Sequence, residues 1–216
     1  MRRLNIFVTA ILCLTAFGCA YGGDFQYGVK LGMVRSDIRM TDRVYDHIDL
    51  DKPDIWRHYF TPKLGLNFGA FGGYYVTEDI YLGIEPGYII KGAGFSDENS
   101  KLSLDYLNLP VIVKYKISDR IGLLAGPEFS ALVKASLDYN GLIIDMKEFY
   151  DTGIETSVLF GVEYEATEQF WLGLRYSYGL TTVSETVWYD EAGEVLGAVK
   201  EHNQYFMLYL ALGFIG

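Results

Sequence analysis

The chain has 216 residues, enough for one domain or two small ones with a sizeable core. Its formal net charge is -10 and no Lys/Arg cluster stands out, which argues against a nucleic-acid partner, because phosphate binding needs a basic patch. Aromatic residues make up 16%, with 18 Tyr and 13 Phe beside 24 Gly, a mixture that favours strands over helices.

The chain opens with Arg2 and Arg3, an apolar run from Leu4 to Phe17, and then small residues. Gly18 and Ala20 fit the -3 and -1 places of a signal-peptidase site, so residues 1–20 read as an export signal and 21–216 as the exported domain. The apolar run is too short for a membrane helix, which needs roughly 20 residues. Both cysteines, Cys13 and Cys19, fall within the signal, and a domain cut after Ala20 contains no disulfide. Lipidation at Cys19 is the alternative processing, although the usual Leu three residues earlier is replaced by Ala16.

Beyond the signal the pattern is alternation with a period of two, which predicts eight strands near 24–35, 60–75, 80–92, 103–117, 120–136, 153–166, 169–182 and 203–215. Most run to about ten residues or more, long for a globular strand and suited to a tilted membrane crossing. Short polar turns are expected at Thr77-Glu78-Asp79, Ser118-Asp119-Arg120 and Thr167-Glu168, and longer loops at 36–59, 93–102, 137–152 and 183–202. Tight turns at one end and long loops at the other are the layout of a bacterial outer-membrane barrel with both termini in the periplasm.

Composition of the two faces separates a lipid-facing barrel from a soluble one. The last strand sets Phe206, Leu208, Leu210, Leu212 and Phe214 against Tyr205, Met207, Tyr209, Ala211 and Gly213. The strand before it sets Phe170, Leu172, Leu174, Tyr176 and Tyr178 against Trp171, Gly173, Arg175, Ser177 and Gly179, and the fourth places Leu107, Leu109, Val111, Val113 and Tyr115 outward. A water-exposed face would carry several charges per strand, whereas the second face here carries about one. It reads as a narrow interior in which glycines relieve crowding and charges pair, with Lys30, Lys63, Glu85, Lys114, Glu128, Glu163 and Arg175 as the expected structural network. Tyr74, Tyr75, Tyr115, Tyr164, Tyr176 and Tyr178 are expected at the membrane interfaces. Pro86, Pro110 and Pro127 lie inside strands, where a missing donor implies bulges.

The stretch Leu104-Asp105-Tyr106-Leu107-Asn108-Leu109-Pro110-Val111-Ile112-Val113-Lys114-Tyr115, followed by Gly122-Leu123-Leu124-Ala125-Gly126-Pro127-Glu128, resembles the "YLxxPxLxKY … GP" core of the PorT-like outer-membrane β-barrel proteins. The resemblance implies an eight-stranded barrel like those of OmpA and OmpX, inserted by the barrel-assembly machinery and without an established activity in most members. The chain departs from such barrels in ending Phe214-Ile215-Gly216 rather than on an aromatic residue.

Little points to chemistry. His47, His58 and His202 are the only histidines, all on expected loops, and no metalloprotease, redox, nucleophile-elbow or phosphate-loop motif occurs. The Asp-rich segment 42–54 lacks EF-hand spacing and its acids alternate with Arg43 and Lys52, so it reads as a solvated loop rather than a calcium site. Loops 137–152 and 183–202 are acidic, with Asp138, Asp145, Glu148, Glu185 and Glu201 among their carboxylates. No catalytic residue, metal or cofactor is expected. The fold expected is all-β, an eight-stranded antiparallel up-and-down transmembrane barrel in the bacterial outer membrane, contacting lipid and acting structurally or through its longer loops. A small pore or secretion accessory, and a soluble periplasmic ligand-binding barrel, are the alternative readings.

Overall fold

In the computed structural model, residues 25–44, 60–96, 100–150, 153–189, 193 and 195–215 are described. The expected signal, His47, His58 and residues 45–54 lie outside them. The strands are β1 (Phe25–Val44), β2 (Phe60–Tyr75), β3 (Ile80–Ile84), β4 (Gly87–Phe95), β5 (Ser100–Ser118), β6 (Ile121–Tyr139), β7 (Leu142–Asp145), β8 (Ile154–Thr167), β9 (Phe170–Gly179), β10 (Ser184–Tyr189) and β11 (Val195–Ile215). One helical turn, α1 (Lys147–Tyr150), follows β7.

All pairings are antiparallel and the sheet closes on itself. The ring runs β1, β2, β3 with β4, β5, β6, β8, β9, β11 and back to β1, which makes eight staves. Closure is the most extended pairing, from Gln26 opposite Ile215 to Val44 opposite Gly197. It removes every exposed sheet edge within the bilayer, where an unpaired backbone polar group costs several kcal/mol.

The three tight turns share one device. Thr77 Oγ1 accepts from Ile80 N (3.0 Å), Ser118 Oγ from Ile121 N (3.2 Å) and Thr167 Oγ1 from Phe170 N (3.1 Å). A hydroxyl at the start of each turn satisfies the amide three residues on, which is why Ser or Thr begins all three. Both ends of the described chain, Phe25 and Ile215, lie at this end.

The other end is more regular than the sequence suggests. Segments predicted as loops carry strand: β1 runs to Val44, β7 and β10 pair with β6 and β11, and β11 begins at Val195. Asn140 and Gly141, with φ of 52° and 84°, form the turn of the β6–β7 hairpin, and Gly141 N donates to Asp138 Oδ1 (2.9 Å). Backbone pairing continues beyond the lipid-facing band, where the outward face loses its large apolar side chains and the alternation fades from the sequence.

The three prolines are spatial neighbours. Pro86 lies in the break between β3 and β4, and its carbonyl accepts from Ala70 N (3.0 Å). Glu85 N donates to Pro110 O (3.0 Å), and Pro110 faces Glu128 next to Pro127. The prolines therefore follow one diagonal across three consecutive staves, along which the β5–β6 ladder skips from Pro110 to Val113. Missing donors are tolerated there because the ladder is already interrupted.

Candidate functional site

Two surfaces hold the functional information, the outer wall and the lumen. On the outer wall large apolar side chains stand in the open: Val29, Leu31 and Met33 on β1, Leu64, Leu66 and Phe68 on β2, and Leu208 and Leu210 on β11 among them. Leu31 and Leu210 face each other at 61% and 59% exposure, too much apolar surface for water to cover on so many staves. The band ends in aromatic rings on the tight-turn side, where Phe25 stacks on Tyr27 and packs at a tilt against Tyr74, and Tyr27 meets Phe214. On the opposite side it ends at Arg35, at Lys134 and at Asp105, whose Oδ2 accepts from Tyr88 OH (2.7 Å). From Tyr27 to Arg35 on β1 and from Tyr115 to Asp105 on β5, a rise of about 3.3 Å per residue on a strand tilted by about 40° gives a band roughly 20–25 Å tall. That is the hydrocarbon thickness of a bacterial outer membrane.

Two residues depart from the predicted faces. Leu109, expected on the lipid stripe, is only 6% exposed, although its cross-strand neighbour Phe129 is open. It stands beside Pro110, where the ladder is interrupted. Tyr75, expected in the interfacial ring, instead lies at the mouth of the lumen, edge-on to the buried Tyr81 (5.4 Å) and beneath Lys116 Nζ (4.3 Å). The strand period explains it, since Leu64, Leu66, Phe68 and Tyr74 share one parity and Tyr75 has the other.

The lumen is filled. Arg175, Tyr106, Tyr205, Tyr209 and Lys91 are the largest wholly enclosed side chains. Aromatic rings lie over interior glycines: a Cβ on Gly173 would stand 2.1 Å from Tyr209 Cζ, and one on Gly213 would stand 2.7 Å from Trp171 Cζ3. Away from the tight turns the filling becomes apolar, with Ile38, Leu102, Leu104, Tyr150 and Val183 in one cluster, so that α1 seats Tyr150 in that mouth of the barrel.

Of the seven charges assigned to the lumen, five pair among themselves. Glu85 accepts from both terminal nitrogens of Arg175, one of them at 2.7 Å, and pairs with Lys30 at 2.6 Å. Lys114 pairs with Glu163 (2.7 Å), whose other oxygen accepts from Tyr209 OH (2.8 Å). Lys30 Nζ and the Arg175 guanidinium also lie over the Tyr209 ring at 4.3 and 4.4 Å.

Glu128 is buried as well, but its cation was missed. Lys91, 1% exposed, donates to Glu128 Oε1 (3.2 Å), Glu155 Oε1 (3.0 Å) and Ser130 Oγ (3.3 Å). Tyr205 OH donates to Glu128 Oε2 (2.5 Å), and Asn203 Nδ2 donates to Glu155 Oε2 (2.7 Å). Lys63 is only half-buried and reaches the carbonyl of Lys91 at 3.5 Å, outside these ion pairs. With Lys91 and Glu155 included and Lys63 set aside, the enclosed groups are Lys30, Lys91, Lys114 and Arg175 against Glu85, Glu128, Glu155 and Glu163. Parity was the available signal: Lys91 shares that of Glu85, and Glu155 that of Glu163.

His202 and Glu201, expected on a loop, are buried in β11. The ring bridges the carbonyl of Thr181 (3.1 Å) and the hydroxyl of Thr41 (3.3 Å), while Glu201 Oε2 accepts from Tyr150 OH (3.4 Å). Among the described residues, no group of three or more metal-ligating side chains gathers.

A closed eight-stave barrel with an apolar outer band and a side-chain-filled, ion-paired lumen is a transmembrane β-barrel of the outer-membrane type. Residues 17–185 match the family described as outer membrane protein beta-barrel domain, and the chain belongs to that family. No curated protein matches the sequence. Among solved structures it is similar to Neisserial surface protein A, at 16% identity over 88% of this chain and 97% of that one, with a TM-score of 0.51. OprG from Pseudomonas aeruginosa is similar at 11% identity over 90% and 97% of the two chains (TM-score 0.48). Ail, the attachment invasion locus protein of Yersinia pestis, is similar at 15% identity over 88% and 98% (TM-score 0.45). At these identities the likeness is one of fold.

Proposed function

We propose that the protein is a closed, non-enzymatic barrel of the bacterial outer membrane that acts at the cell surface through the strands and hairpins standing beyond the lipid band. One observation carries this reading. β6 continues past Lys134 into the β6–β7 hairpin, whose Leu142, Ile143 and Ile144 are exposed on a two-stranded arm, with Phe149 of α1 exposed beside it. The arm rises on the order of 12 Å above the band at the rise and tilt used above. Apolar side chains held at that height have no lipid or core to cover them, and such patches mark interaction surfaces.

The filled lumen supports a closed rather than conducting barrel, and the lumen charges act structurally, holding the staves together from within. The likeness of residues 104–128 to the PorT-like proteins supports a place among them, with removal of residues 1–20 on export and insertion by the barrel-assembly machinery.

The mature chain from Tyr21, refolded into micelles, should migrate differently unboiled and boiled and give no discrete openings in planar bilayers. Discrete openings would overturn the closed barrel. In cells, replacing residues 140–146 by a short Gly-Ser turn should leave the folded barrel in the membrane but fail to complement the surface phenotype of a deletion strain. Full complementation by that variant would remove the hairpin from the function.

A further inference from the structure

Three small cavities follow one another along the lumen from the tight-turn mouth, and neighbouring ones share walls. The first lies at the rim beside Lys116 and Arg120, and it shares Lys114, Glu163 and Trp171 with the second. The second shares Lys30, Glu85 and Arg175 with the third, which reaches Asn108 and Glu128 and so joins the two layers of ion pairs. Each has room for about one water-sized sphere.

Six buried side-chain atoms of the described residues have no hydrogen-bond partner. Four of them, Trp171 Nε1, Arg175 Nε, Lys30 Nζ and Asn108 Oδ1, belong to residues that line the second and third cavities, whereas Arg39 Nε and Asn203 Oδ1 lie outside them. Lys30 Nζ approaches Glu85 at 2.6 Å without the alignment of a hydrogen bond. Asn108 Oδ1 faces Gly87 of the third cavity, where a Cβ would stand 3.1 Å from it. The orphaned atoms are thus three donors along the approach and one acceptor at its deep end.

These walls call for a neutral ligand, because the enclosed cations Lys30, Lys91, Lys114 and Arg175 are matched by Glu85, Glu128, Glu155 and Glu163. Water is neutral, fits each cavity, accepts from Trp171 and Arg175 and donates to Asn108. Past the third cavity Lys91 Nζ lies over the rings of Tyr106 (4.8 Å) and Tyr205 (5.3 Å), and beyond them Ile38, Leu102, Leu104 and Val183 pack as an apolar plug whose side chains offer water no partner. We propose that the lumen holds a file of about three ordered waters, entered from the tight-turn mouth and ending at Asn108, so that the ion-paired interior exchanges water and protons with one side of the membrane only.

The test follows the Arg175 Nε hydrogen by NMR in the mature chain, refolded in micelles with isotope-labelled arginine. Its exchange with solvent deuterium should slow at least tenfold in Ala211→Val, whose added methyl groups fill the second cavity, and change less than twofold in Tyr150→Ala, which thins the apolar plug. Exchange that is unchanged or faster in Ala211→Val overturns the file, and exchange accelerated by Tyr150→Ala overturns its single entry. Both variants perturb a mouth defined by its own residues, so the outcome is the same whichever way the barrel faces. Should either variant lose the band of the folded barrel, crystals of the natural protein decide: ordered waters bonded to Trp171 Nε1, Arg175 Nε and Asn108 Oδ1 support the proposal, and dry cavities overturn it.

Discussion

Lys91 holds one charge layer of the lumen together, because among the described residues its ammonium is the only cation paired with Glu128 and Glu155. Lys91→Met leaves two enclosed carboxylates facing each other and should cost about 3–5 kcal/mol, read as a lowered denaturation midpoint of the refolded barrel. Adding Glu155→Gln removes one of the stranded charges and should recover part of the loss. A single mutant as stable as the natural protein would show that the layer does not support the barrel. On the outer wall, Leu31 opposite Leu210 is the mid-height pair, between Tyr27 opposite Phe214 and Arg35 opposite Phe206. Leu210→Arg should cost about 2–4 kcal/mol in a bilayer, whereas Leu142→Arg, on the hairpin, should cost little. Equal effects would misplace the band.

At the scale of single elements, the proline diagonal and the hydroxyl-closed turns shape the staves. Gly126 lies on that diagonal, and a Cβ there would stand 1.8 Å from the carbonyl oxygen of Val111. Gly126→Ala should therefore destabilise the barrel by about 1–3 kcal/mol through overpacking of the β5–β6 seam. A natural denaturation midpoint in that variant would mean that the seam opens freely. Element ends were legible at the tight turns and poorly so at the other end, for a physical reason. The turns are marked by Thr77, Ser118 and Thr167 beside apolar runs, whereas the distal parts of β1 and β11 meet through polar side chains such as Thr41 and His202, which leave no apolar alternation to read. Asn140-Gly141, a strong hairpin signal by its turn geometry, sat inside a segment expected to be loop. One bulge also breaks the period: Asp105 faces Lys134 and Tyr106 faces Leu132, so Val133 is an extra residue that shifts the inward set from Leu132 to Ala135.

For the molecule as a whole, closure and orientation are the testable properties. With the tight turns in the periplasm, a cysteine introduced at Ile143 should react with an impermeant maleimide on intact cells, and one at Asp119 only after the outer membrane is breached. The reverse pattern would invert the barrel. The alternation of Phe206, Leu208 and Leu210 with Tyr205, Met207 and Tyr209 by itself determined the strand period, the two faces and the lipid-facing band, because a pleated strand sends successive side chains to opposite sides. It also placed Lys30, Glu85, Lys114, Glu128, Glu163 and Arg175 in the interior. Only the tertiary structure decided which charges meet, that Lys91 and Glu155 complete the set while Lys63 lies outside it, that His202 and Glu201 are buried, and that the three prolines are neighbours. Each of these depends on the register between strands far apart in sequence. Ring closure sets that register, and a strand's own side-chain pattern does not contain it.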